Sequence, residues 1–279
     1  MTDRSLHGKT LLVTGGSRGI GLAIACRAAR DGANVALLAK TTEPNPKLPG
    51  TLSTAAAAVE EAGGHALPLR TDIRDDAAIA EAVAATVARF GGIDILVNNA
   101  SAISLTPTEA TPMKRFDLMF GVNVRGTYAV TQACLPHLKA SAQAGRGPQV
   151  LTLSPPLNLD PRWFAPHVAY TMAKYGMSQC TLGHAAEFRR MGIAVNSLWP
   201  RTAIATAAMQ MIPGIDLEKC RTPEIMAEAA WYLLTRGAMH ATGQFFIDDE
   251  VLRAEGVDDL DRFAVKAGAT DFFPDLFLD

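Results

Sequence analysis

Seven short runs of β-branched and leucine-rich positions, at residues 9–13, 34–39, 65–69, 93–97, 149–153, 193–198 and 244–247, alternate with longer alanine-rich stretches. That alternation predicts repeated βαβ units. The strand runs are nearly continuous in apolar residues, as in a parallel sheet covered by helices on both faces. Between the third and fourth runs, Ile79, Val83, Val87 and Phe90 recur at helical spacing, so residues 75–90 are predicted to bury one stripe on the sheet. The expected fold is α/β, a single doubly wound parallel sheet of about seven strands with helices on both faces.

Three stretches break the pattern. Residues 41–50 hold Pro44, Pro46 and Pro49, which predict a long loop after the second strand. Residues 154–166 hold Pro155, Pro156, Pro161 and Pro166 and predict another, just ahead of a helix beginning near Val168. Residues 248–279 read as a charged tail ending in the apolar cluster Phe272, Phe273, Leu276 and Phe277, expected to pack on its own domain or a neighbouring subunit. No internal repeat or low-complexity linker divides the chain, so residues 1–250 are expected to form one domain and 251–279 its tail.

Composition narrows the function classes. The 48% hydrophobic and 19% charged fractions are those of a globular protein with a large core. A net charge of −2 with no dense run of Lys or Arg argues against nucleic acid and against an anionic membrane surface as partners. Cys26, Cys134, Cys180 and Cys220 lie far apart without a Cys-x-x-Cys pair, which predicts reduced thiols rather than a disulfide framework or zinc site. The six histidines show no ligand spacing, so no metal is expected, and His167, near Tyr170, is read as structural or surface. Residues 1–9 are polar, no window reaches the ~18 apolar residues of a membrane span, and Leu276-Phe277-Leu278-Asp279 is not a peroxisomal address. A cytoplasmic protein is the expectation.

The first strand run leads into Thr14-Gly15-Gly16-Ser17-Arg18-Gly19-Ile20-Gly21 and then an apolar helix. A glycine-rich strand-to-helix turn lets the backbone approach a pyrophosphate, with the helix N-terminus supplying N–H groups and positive potential. With strand before and helix after, this predicts a Rossmann-type dinucleotide site carrying Gly15, Ser17, Arg18, Gly19, Ile20 and Gly21. An NAD site usually places Asp or Glu near the end of the second strand to accept from the ribose 2′-hydroxyl. Here Lys40 stands there, and with Arg18 it suits a 2′-phosphate, so NADP(H) is the expected cofactor.

Tyr170 and Lys174 stand four apart on a predicted helix and project from one face, where the ammonium is expected to lower the phenol pKa for proton exchange with a carbonyl or alcohol oxygen. Together with the glycine turn, Asn98-Asn99-Ala100 and Asn123-Val124-Arg125-Gly126, this closely resembles the short-chain dehydrogenase/reductase family over roughly residues 8–250. Within it, the chain is similar to the hydroxysteroid dehydrogenase-like protein 2 group. The shared stretches are the 39–50 loop, residues 98–105, Ser154-Pro155-Pro156-Leu157-Asn158, and Leu198-Trp199-Pro200-Arg201-Thr202-Ala203-Ile204. Longer members of that group carry a sterol-carrier domain, and the chain is expected to end before one begins.

The resemblance implies Tyr170 as general acid or base, Lys174 as ribose holder and tuner of Tyr170, and Asn123 as organiser of a relay water. It implies that Asp72 and Ile73 flank adenine and that Asn99 and Ala100 line the adenosine-side ribose. Pro200 and residues 202–206, with Thr202 and Ile204, would close over the nicotinamide carboxamide. Asn123 as a pin between two strands and Asp72 as a helix cap are the alternatives. Three positions depart from the family pattern. Ser101 and Arg201 replace glycines, so both turns need another backbone solution. Pro155 stands where the family serine polarises the substrate, and Ser154 sits one residue early, on the opposite strand face unless the backbone bulges. Either Ser154 is re-aimed, or Asn158 substitutes, or Tyr170 acts alone.

The expected function is an NADP(H)-dependent oxidoreductase moving a hydride to or from a carbonyl or secondary alcohol. Leu157, Trp163, Phe164, Trp199, Met209 and Met211 suggest a wide apolar pocket for a fatty, terpenoid or steroid-like substrate, or else a subunit contact. An enoyl-thioester reductase and a weakly catalytic NADP(H)-binding module are the alternatives. The resemblance also implies a homotetramer or homodimer built on helices around residues 116–138 and 168–190 and on the last strand.

Overall fold

The computed structural model describes residues 4–45, 49–212 and 214–278. Seven strands, β1 (Thr10–Thr14), β2 (Asn34–Ala39), β3 (His65–Arg70), β4 (Ile95–Asn98), β5 (Gln149–Thr152), β6 (Ala194–Trp199) and β7 (Phe245–Ile247), form one sheet in the order β3-β2-β1-β4-β5-β6-β7. Every pair is parallel. Pro68 is tolerated in β3 because that strand is an edge, where a missing N–H breaks no ladder. The helices are α1 (Gly19–Ala29), α2 (Leu52–Glu61), α3 (Asp76–Phe90), α4 (Met113–Met119), α5 (Thr127–Gln143), α6 (Val168–Phe188), α7 (Glu224–Thr235) and α8 (Asp248–Ala254). Leu11 and Val13 join the core on one face of the sheet while Leu12 joins that on the other, so apolar runs are buried twice over. The strand order reverses between β1 and β4, which opens a crevice at their carboxyl ends.

The long helix expected around residues 116–138 is present, running through α4 and α5, but is not α-helical throughout. A π-helical segment, Phe120–Gly126, lies between α4 and α5. Its widened turn buries Asn123 and brings Gly126 so close to Ile73 that a Cβ there would stand 2.6 Å from the Ile73 side chain. Helical periodicity alone does not register the one extra residue. The described part of the 41–50 loop carries no helix or strand, and Pro46 lies outside the described residues.

The division expected at residue 250 falls inside α8. Val251, Leu252, Leu260 and Phe263 complete the core beneath α1 and α7, and the chain then returns across the sheet end to bury Phe277. The C-terminal residues are therefore built into the body of the fold. Among the described residues no helix is long and apolar enough to cross a membrane, and no cluster of His, Cys, Asp and Glu suits a metal ion.

Candidate active site

The glycine turn is held from β4. The Thr14 hydroxyl accepts the Asn99 and Ala100 N–H groups at 3.0 and 3.1 Å, and Asn99 Nδ2 donates to the carbonyls of Thr14 and Gly15. That amide explains two glycines: a Cβ at Gly15 would lie 2.9 Å from Asn99 Nδ2 and one at Gly21 2.5 Å. Asn99 and Ala100 thus shape the turn, and Asn99 also faces the cavity described below.

At the start of α1, Arg18 occupies the cap position without a side-chain cap, and no acid stands in the first turn. The first N–H groups of the helix and its positive end are left for an anion. Arg18 Nη2 donates to the Gly50 carbonyl at 2.8 Å, whereas its buried Nε has no partner, and burial lowers its pKa. An orphaned guanidinium N–H beside an uncapped helix end fits a phosphate-bearing cofactor. Ser17 is buried in the turn, and Gly19 opens the helix with φ 55°.

Lys40, 58% exposed at its side chain, pairs loosely with Asp72 at 3.7 Å. Asp72 is held mainly by Arg74, at 2.5 Å, which draws its pKa down to about 2. Asp72 does not cap α3. Asp75 does, accepting from the Ala77 and Ala78 N–H groups. Ile73 is buried against Gly126.

Tyr170 and Lys174 project from α6 into a cavity of about 280 Å³, where they are only 5% and 3% exposed. Ile20, Asn99, Pro200, Ile204 and Thr206 line it, and Ile103, Leu105, Trp199 and Met209 are among its apolar walls. Lys174 Nζ donates to the Leu153 carbonyl at 2.7 Å and lies 4.8 Å from the Trp199 ring centre. Burial draws the lysine down to about 7, opposed by Asp275. Burial, and then Asp275, push the Tyr170 phenol upward. The sequence leads one to expect that Lys174 lowers the phenol; here the influences on Tyr170 are its burial and Asp275, both upward, so the phenol holds its proton.

Ser154 is turned away. It is fully buried, with its hydroxyl 2.9 Å from that of Ser197, which in turn lies 2.8 Å from Thr181. It does not line the cavity, where the preceding Leu153 stands instead. Ser154 lies beyond the end of β5 at Thr152, and its hydroxyl contact with Ser197 holds it inward. Asn158 also lies outside the lining, with its backbone bonded to the Tyr175 hydroxyl. Asn123 spends both side-chain ends on Ala102, accepting its N–H at 2.7 Å and donating to its carbonyl at 3.0 Å. It pins the segment that carries Ser101, Ile103 and Leu105 along the cavity.

Neither Ser101 nor Arg201 needs a glycine, because Phe277 alone among the described non-glycine residues has a positive φ. Arg201 forks onto both Asp249 oxygens at 2.8 Å and reaches Glu250, while its N–H donates to Asp248. Thr202 has a buried hydroxyl with no partner. Of the expected pocket residues, Trp199 and Met209 line the cavity, whereas Leu157, Trp163 and Phe164 pack in the aromatic cluster around Phe277 and Met211 is exposed.

The tail supplies what the sequence did not reveal. Phe273, Pro274, Asp275 and Leu276 close one wall of the cavity. The wall is tied down by an antiparallel bridge between Thr202 and Pro274, made by Ala203 N–H to the Phe273 carbonyl and Asp275 N–H to the Arg201 carbonyl, and by Trp199 Nε1 to the Leu276 carbonyl, each bond 2.9 Å. Enclosure raises the Asp275 carboxyl to about 7, against the pull of the Leu276 N–H and of Lys174.

Residues 9–213 match the family model described as short chain dehydrogenase. The chain is 57% identical over 275 residues to hydroxysteroid dehydrogenase-like protein 2 of Danio rerio, with 98% of this chain covered and 65% of that protein. It therefore spans a little under two thirds of that relative's length. A crystal structure of a Xanthomonas campestris protein described as a dehydrogenase superposes with a TM-score of 0.95 at 59% identity, covering 99% of each chain. That of an NADH-dependent reductase complexed with NAD does so at 0.71 and 28%, covering 87% of this chain and 95% of that one. With Tyr170, Lys174 and the glycine turn gathered at the sheet's switch point, the chain belongs to the short-chain dehydrogenase family, an oxidoreductase family that binds nicotinamide cofactors.

Proposed function

We propose that this oxidoreductase uses NADP(H) and acts on a carbonyl or secondary alcohol of an apolar substrate, with Tyr170 as the proton-transferring group. The observation that carries the reading is the convergence of Tyr170 and Lys174 in one largely apolar cavity beside the glycine turn. When bound, the nicotinamide supplies or accepts the hydride. The chain's part is to hold the substrate oxygen against the Tyr170 hydroxyl and to exclude water with Trp199, Ile103, Leu105 and Met209. A phenol that keeps its proton suits carbonyl reduction, in which it donates to the developing alkoxide. Lys174 would hold the nicotinamide ribose. Asn123 acts as a positioning residue through Ala102.

Preference for the 2′-phosphorylated cofactor rests on Arg18, whose unpartnered Nε awaits an acceptor, more than on exposed Lys40. We further propose assembly through the outer faces of α5 and α6, where Tyr128, Met172 and Leu182 stand exposed, into a homotetramer or homodimer. Because the Ser154 hydroxyl is withdrawn, reduction of an enoyl thioester is a second reading. Screening apolar aldehydes, ketones and enoyl thioesters for NADPH oxidation, with the reverse assay on alcohols, tests both. Turnover of carbonyls supports the first, and turnover confined to enoyl thioesters replaces it with the second.

A further inference from the structure

The cavity that holds Tyr170 has only two charged side chains among its described lining residues, Lys174 and Asp275. They arrive from elements about a hundred residues apart, and Asp275 is delivered by a tail fixed by three hydrogen bonds to residues 199–203. The backbone bonds leave the Asp275 side chain facing the cavity, with the Leu276 N–H on one carboxylate oxygen. The same lining includes Ile20 of the glycine turn and Pro200 and Ile204, the segment expected over the nicotinamide. A carboxylate there shares an enclosed, low-dielectric space with a ring whose charge differs by one between its two redox states.

We propose that Asp275 reads the redox state of the nicotinamide, favouring the cationic oxidised ring over the neutral reduced one. This rests on the cofactor reading above. The preference stabilises the oxidised cofactor inside the site and so draws the bound reaction toward carbonyl reduction, the direction in which Tyr170 already holds the proton it must give. Lys174, also in the lining, pulls the other way when charged, so removing Asp275 leaves the ring facing the lysine alone. The carboxyl sits near 7, so it is largely ionised in mildly alkaline solution.

The test is direct binding to the full chain, by titration calorimetry at about pH 8.5, of NADP⁺ and NADPH, and of NAD⁺ and NADH, to wild type, Asp275→Asn, Asp275→Ala and Asp275→Glu. Both neutral variants are expected to weaken the oxidised form about tenfold relative to the reduced form, and Asp275→Glu to keep the wild-type ratio. If Asn or Ala weakens both forms equally, or leaves both unchanged, Asp275 only packs the tail and the proposal is overturned while the cofactor reading stands. Failure of wild type to bind any of the four overturns both. The ratio decides the matter whether the phosphorylated pair or the other pair binds.

Discussion

The hydroxyls of Ser154 and Ser197 lie 2.9 Å apart, and neither lines the cavity that holds Tyr170. Ser154→Ala is therefore expected to change kcat by less than about threefold, because no bond to the substrate oxygen is lost. Its cost falls on folding, about 1 kcal/mol for a buried hydroxyl pair. Steady-state kinetics and urea unfolding separate the two. A loss of kcat of a hundredfold or so, with stability unchanged, would return Ser154 to the chemistry.

Arg18→Ala is expected to lower the preference for NADPH over NADH in kcat/KM by roughly tenfold to a hundredfold, the worth of a charge-assisted bond to phosphate. Lys40→Ala should cost several-fold less, since an exposed lysine already paired with Asp72 is screened by solvent. Equal losses at the two positions, or a wild-type preference for NADH, would contradict this division.

Phe277 is 1% exposed, and its ring packs 5.2 Å from Tyr175 and 6.2 Å from Tyr170, centre to centre. Its φ of 74° is one a β-carbon disfavours, so packing must hold it there. Phe277→Ala should destabilise the chain by about 3 kcal/mol in urea unfolding. It should also release Asp275 and reduce the redox preference of binding. A loss below about 1 kcal/mol would mean that the tail is not docked in solution.

The ratio of NADP⁺ to NADPH affinity should rise with pH through about 7. Asp275 is neutral below that value and ionised above it, while Lys174, also near 7, is charged below and neutral above, so both changes favour the cationic ring as pH rises. Of the other groups around them, Tyr170 keeps its proton, Asp248 ionises earlier, near 6, the Cys220 thiol is raised, and Arg201 stays charged on Asp249 and Glu250. In Asp275→Asn the rise should shrink to the part owed to Lys174. Calorimetric titrations across about pH 6 to 8.5 check this, and a flat ratio in wild type would contradict it.

The sheet was legible because buried parallel strands are continuous apolar runs, as at Leu11-Leu12-Val13. The Tyr170 and Lys174 pair was legible because four-residue spacing on a helix sets a common face. Pro155 at the usual serine position was legible, but the direction of the Ser154 hydroxyl was not, because the chain leaves β5 at Thr152 and strand alternation no longer fixes a face there. The π-helical segment was not, because the extra residue at 120–126 leaves the apolar pattern of the flanking helices intact. The bond of Asn123 to Ala102 was hidden because its partner is a backbone group. Asp275 was hidden for a different reason. Its meaning depends on where a tail without periodicity returns, and the apolar residues around it signalled only that the tail packs.

The most direct test of the whole account is single-turnover NADPH oxidation with an apolar aldehyde or ketone identified by the screen, comparing wild type with Tyr170→Phe at matched cofactor saturation. The variant should bind NADPH with unchanged affinity and lose turnover by at least about a hundredfold. Equal turnover in the two proteins would contradict it.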